Sequence, residues 1–174
     1  MKESIGATQI FLLVIALILI FSGIMALTIN RSNAFAVKDQ IVSIIETEGK
    51  FDMTSEIVAG KYVGDCVNKS GSKCIEPALQ QIVDVLDHNS YRQTGRCPES
   101  STGKKVISYQ RNGSKVSGNN KASFCILQID GNSPAGAPPV YYYEVIVFYT
   151  LDLPIVNEAF NFHVKGQTKS LSKF

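Results

Sequence analysis

The run Ile10-Phe11-Leu12-Leu13-Val14-Ile15-Ala16-Leu17-Ile18-Leu19-Ile20-Phe21, continued by Ser22-Gly23-Ile24-Met25-Ala26-Leu27-Thr28-Ile29, decides the architecture of this 174-residue chain. No Asp, Glu, Lys or Arg occurs from Ser4 to Asn30. A helix over residues 8–29 is roughly 33 Å long at ~1.5 Å per residue, enough to cross the hydrocarbon core of a bilayer. The internal helix of a soluble protein is rarely apolar for so long. A cleavable signal peptide is the competing reading, because Ala34-Phe35-Ala36 supplies an A-x-A pattern. The apolar run outlasts the ~7–15 residues of an ordinary h-region and Lys2 is offset by Glu3, so a retained anchor is the expectation.

Outward from this run the pattern stays helical. Ala34, Val37, Ile41, Ile44 and Ile45 fall on one stripe of a 3.6-residue period, with Lys38, Asp39, Gln40, Glu46 and Glu48 mostly off it. Neither Pro nor Gly interrupts the chain from Ile24 to Glu48, and Gly49 is placed to stop the helix. Three parts follow: an N-terminal head and transmembrane helix (residues 1–30), an amphipathic stem helix (31–49) and an α+β head domain (50–174).

Within the head, Asp52 is positioned to cap a short helix over residues 53–62. Pro77 suits a first helical position, and Leu79, Ile82, Val83 and Leu86 predict an amphipathic helix over residues 77–88. The rest reads as strands at 105–110, 122–130, 140–153 and 161–171, with a hairpin at Asn112-Gly113 and a Pro-rich loop at 131–139. Helices followed by consecutive strands give an α+β class with an antiparallel sheet and one or two packed helices. Tyr141-Tyr142-Tyr143 must divide between the two faces of its strand.

Composition excludes several function classes. A formal net charge of +2 is too small for a dedicated nucleic-acid binder. The basic residues Lys104, Lys105, Arg111, Lys115 and Lys121 read as solvated charge around a hairpin, so no nucleic-acid partner is favoured. The two histidines, His88 and His163, sit in no metal or catalytic motif, and no phosphate-binding, dinucleotide or nucleophile-elbow pattern occurs. The expectation is a protein that is not an enzyme and takes no cofactor and no metal.

Cys66, Cys74, Cys97 and Cys125 lack close C-x-x-C pairs, so disulfides in an oxidising compartment are expected rather than zinc. Four cysteines allow three pairings. The favoured one joins Cys66 to Cys74 around a short polar loop and Cys97 to Cys125, tethering Gly95-Arg96-Cys97-Pro98 to a strand. Arg31 and Lys38 after the span, against Lys2 before it, lean weakly towards a cytoplasmic head. The cysteines outweigh that two-charge difference and place the head outside.

The polar start Met1-Lys2-Glu3-Ser4, then Gly6-Ala7-Thr8-Gln9-Ile10-Phe11, an apolar helix that becomes an amphipathic stem, and a cysteine-tied antiparallel head together resemble the type IV pilin superfamily. Within it the chain is similar to the Tad-type (tight-adherence) pseudopilins. A pilin carries Glu at the fifth position after its processing glycine, and counted from Gly6 that position here is Phe11.

The resemblance implies a membrane-resident structural subunit of a surface pilus or related secretion machine, packing against the helices of other subunits. The small residues Ala16, Gly23 and Ala26 permit close helix approach, and Ser22 and Thr28 offer hydroxyls to a neighbour. With Val37, Ile41, Ile44 and Ile45 of the stripe, they form the expected assembly helix. The partners expected are membrane lipid and other pilin-like subunits, for a single-pass protein with an extracytoplasmic C-terminal domain. The alternative is an unassembled, membrane-tethered receptor or adhesin that binds a ligand through loops such as 112–120 or 131–139.

Overall fold

A computed structural model of the chain describes residues 2–49, 51–63, 78–117, 120–131, 140–150 and 161–172. Its first element, α1 (Lys2–Glu48), is one unbroken helix of 47 residues, about 70 Å long at ~1.5 Å per residue. It ends where the sequence predicts, at Gly49 with φ +67°, the left-handed conformation that closes many helices. The A-x-A segment lies inside this helix, and Ala34 is fully buried in the core.

The head is α+β, as expected. Beyond α1 come a small hairpin, β1 (Glu56–Val58) and β2 (Lys61–Val63), and an amphipathic helix α2 (Ala78–His88). Then follow β3 (Lys104–Tyr109), β4 (Lys115–Val116), β5 (Phe124–Asp130), β6 (Val140–Thr150), β7 (Asn161–Gln167) and β8 (Leu171–Ser172). The sheet is antiparallel throughout, in the order β4-β3-β5-β6-β7, with β8 paired to the start of β6. Asn112-Gly113 makes the β3–β4 turn, closed by the Gly113 N–H on the Gln110 carbonyl at 2.9 Å.

Strand alternation sorts the sheet into two faces. Tyr109, Phe124, Ile126, Tyr143, Val145, Val147 and Val164 are buried on the helix-covered face. Against them pack Ala34, Val37, Ile41 and Ile45 of α1 and Leu79, Ile82, Val83 and Leu86 of α2. The stripe read from the sequence is therefore the docking face of α1. At Gly166 of β7 α1 passes close to the backbone, since a Cβ there would stand 2.7 Å from Lys38 Cδ and 3.0 Å from Val42 Cγ2.

One expectation is corrected. Residues 53–62 form no helix; they hold a turn and the β1–β2 hairpin. Asp52 Oδ1 accepts from the Thr54 N–H at 2.8 Å and from the Thr54 hydroxyl at 2.7 Å, a local turn that competes with helix capping. Ala59 and Gly60, both at positive φ (51° and 75°), then supply the tight hairpin connection that right-twisted strands favour.

Cys125, Leu127, Ile146 and Phe148 form a second, smaller apolar cluster on the outer face of the sheet. Residues 91–101 cross it. The Tyr91 hydroxyl donates to the Phe148 carbonyl, and Gly95 exchanges two backbone hydrogen bonds with Ala122, at 2.8 and 2.7 Å. Cys97 is disulfide-bonded to Cys125 with Cα atoms 5.8 Å apart. Gly95 has no room for a side chain, because a Cβ would lie 2.2 Å from Phe148 Cδ1.

Candidate functional site

The sequence places function on α1, and α1 divides sharply in two. From Ile10 to Ile29 its large apolar side chains are between 38% and 68% exposed, apart from the half-buried Leu27. This is the one helix among the described residues long and apolar enough to cross a membrane. In this half Gly23 is buried, Ala26 is half-exposed and Ala16 is exposed. The Ser22 hydroxyl donates to the Leu19 carbonyl at 3.0 Å and that of Thr28 to the Ile24 carbonyl at 2.9 Å. Both hydroxyl protons are thus spent within the helix, and each oxygen keeps acceptor capacity for a neighbour.

The C-terminal half is used differently. Val37, Ile41 and Ile45 are fully buried in the chain's own core and Ile44 packs partly against it. An amphipathic stripe can serve assembly or dock on its own sheet, and within the single chain these side chains take the second role. Between the halves lies a cationic and aromatic boundary. The Arg31 guanidinium stands 5.5 Å and Lys38 Nζ 5.3 Å from the centre of the exposed Phe35 ring, and Lys38 Nζ also pairs with Asp39 at 2.6 Å.

The upper end of α1 is held by tyrosines. Tyr143 splits from Tyr142 as alternation requires: Tyr143 is buried on the helix face, and Tyr142 is half-buried on the outer face. The Tyr143 hydroxyl accepts the Phe51 N–H at 3.2 Å and donates to the Phe51 carbonyl at 3.0 Å, and Tyr109 donates to the Ser55 carbonyl at 2.9 Å. The Phe51 ring meets Tyr109 and Tyr143 edge-on. Burial pushes the Tyr143 phenol up to about 12, against the opposing pull of its bond to Phe51. Burial likewise drives Tyr109 and Tyr91 well above the ordinary tyrosine range. No sequence pattern singles out these phenols as locks on the turn that follows α1.

On the outer face the Glu144 carboxylate is buried between Lys165 Nζ at 3.3 Å and Lys104 Nζ at 3.8 Å. A groove of about 620 Å³ runs between residues 97–100 and the β3–β4 edge, lined in part by Pro98, Glu99, Val106 and Lys115. The basic residues grouped by sequence are dispersed: Lys104 serves Glu144, Arg111 Nε binds Asp87 at 2.7 Å, and Lys115 Nζ caps the Thr54 carbonyl at 2.7 Å. His88 and His163 are exposed on separate elements, and the described residues hold no group of three or more His, Cys, Asp or Glu side chains arranged for a metal. Cys66 and Cys74 lie outside the described residues.

Comparison with protein-family models, with curated proteins and with solved structures finds no match to this chain.

Proposed function

We propose that this chain is a non-enzymatic structural subunit, pilin-like or pseudopilin-like, of a surface pilus or related secretion apparatus, anchored and assembled through the first half of α1. One observation carries the reading: a single unbroken helix whose lower half exposes apolar side chains all round while its upper half is the spine of the head. An all-round apolar surface is stable only in lipid or against other apolar helices. The small residues Gly23 and Ala26 suit close helix approach. The Cys97–Cys125 disulfide supports an extracytoplasmic head.

Assembly is tested by cysteine-scanning crosslinks along residues 16–28 in membranes, together with Gly23→Leu and Ala26→Leu. The expected result is crosslinking between subunits with a helical period, and loss of assembly in both variants with the head still folded. Flat crosslinking with normal behaviour of both variants transfers the conclusion to the alternative reading, a lone tethered receptor or adhesin. That alternative draws on the open groove beside Pro98 and Val106.

A further inference from the structure

The direction of α1 orients the head. Gly166 lies against Lys38 and Val42, and the Lys169 N–H donates to Glu46 Oε1 at 2.8 Å, so β7 runs in the same direction as α1. The sheet register puts Tyr109, Phe124, Val147 and Val164 in one row. The chain just beyond that row on each strand is therefore the end of the sheet nearer the apolar half of α1. Helix α2 runs the opposite way, with Gln81 bonded to Glu48 and Asn89 bonded to Gln40, so the segment leaving α2 emerges at the same end.

At this end Arg92 and Thr94 after α2, Gln110 and Arg111 after β3, and Lys121 and Ser123 before β5 line one open cleft of about 280 Å³. Among the described residues its lining carries three cations, two hydroxyls and an amide, and no carboxylate. Asp87 holds Arg111 from outside through Nε alone, which fixes the guanidinium and engages one of its five N–H donors. Arg31 and Lys38, bracketing Phe35, sit on α1 where its apolar run ends.

We propose that this cleft docks the phosphate of a membrane lipid headgroup, so that the head rests on the bilayer surface its own helix crosses. The proposal builds on the anchor reading above. Guanidinium, ammonium and hydroxyl groups lining one cleft supply the donor types that a phosphate's oxygens accept. Aromatic and basic side chains at the end of an apolar span are the usual furniture of a bilayer interface. Lipid is favoured over a soluble polyanion because the cleft lies at the end of the sheet towards the apolar helix, on a chain of net charge only +2.

The chain contains no Trp, so single reporters are clean. The full-length protein is reconstituted in phosphatidylcholine–phosphatidylglycerol vesicles as three variants. Ile20→Trp lies in the span, Gln110→Trp at the cleft and Tyr142→Trp on the outer face towards the other end of the sheet. Chain-brominated lipid is expected to quench Ile20→Trp. Headgroup-spin-labelled lipid is expected to quench Gln110→Trp severalfold more than Tyr142→Trp, with that excess lost when Arg92→Gln and Lys121→Gln are added; both cations are exposed, so their removal spares the core.

An unquenched Ile20→Trp defeats the anchor reading and the proposal together. A quenched Ile20→Trp with Gln110→Trp no more accessible than Tyr142→Trp defeats the lipid cleft alone, as does headgroup quenching that persists without Arg92 and Lys121. A Gln110→Trp emission that ignores lipid but responds to an added oligonucleotide reassigns the cleft to a soluble polyanion, which also overturns the proposal.

Discussion

Two halves of one helix carry opposite relations to their surroundings. From Ile10 to Met25 the large apolar side chains of α1 are all exposed, and from Ala34 to Ile45 a single apolar stripe is buried. Secondary structure is identical in both, so helix propensity explains neither. The difference lies in what offsets the cost of apolar surface in water: the chain's own sheet covers one half, and the other is left for the lipid or neighbouring helices proposed above. Substitutions in the two halves should therefore be read out by different experiments, stability of the head above and membrane or subunit contact below.

The largest effect expected is from the link that holds residues 91–101 to the outer face. Replacing Cys97 and Cys125 by Ser opens a connection of sequence separation 28, which chain-entropy arguments value at about 3–4 kcal/mol. Urea unfolding of the head should show that loss while membrane association is unchanged; a drop in membrane association would break the division between the halves. Ile41→Ala, at a fully buried stripe position, should cost about 3 kcal/mol. The matched Leu13→Ala should change head stability by less than about 0.5 kcal/mol, and equal effects would refute the comparison.

Tyr143→Phe strands the buried N–H and carbonyl of Phe51 and should cost about 2 kcal/mol. The same phenol gives a pH signature. Its folded pKa of about 12 stands above the unfolded value of 10.0, so its contribution is intact below pH 10 and is lost as the pH climbs through 10 towards 12. Tyr91 and Tyr109 act in the same sense. Alkaline unfolding followed by tyrosinate absorbance should begin later in Tyr143→Phe, relative to its own neutral-pH stability, than in the unaltered chain. The smallest stability effect belongs to Gly23→Leu, near zero for the head in the same urea unfolding experiment, with its consequence expected in the proposed assembly.

Periodicity made much of this legible. The apolar run, the stripe of the stem, the face of α2 and the alternation of Tyr141-Tyr142-Tyr143 all express local geometry that a sequence records directly. The β1–β2 hairpin was not legible as such, because Asp52 suits a helix cap as readily as the turn it makes with Thr54. The Ala59-Gly60 pair was the available signal. Arg92 stood outside the basic group that sequence proximity assembled, and Lys104 and Lys115 within it turn to their own chain. Sequence neighbours share a cleft only when the strands return them to one end, and that is a tertiary fact.

The continuity of α1 also has a mechanical meaning. No kink-forming Pro lies anywhere from Lys2 to Glu48, so under the proposed anchoring the helix would act as a lever with the bilayer as its fulcrum. A tilt of about 20°, common for single spans, would swing its upper end sideways by roughly 9 Å relative to the membrane plane exit. The head, tied to that end through Phe51 and Tyr143, would swing with it, so a pull applied to the head would be delivered undamped to the apolar half.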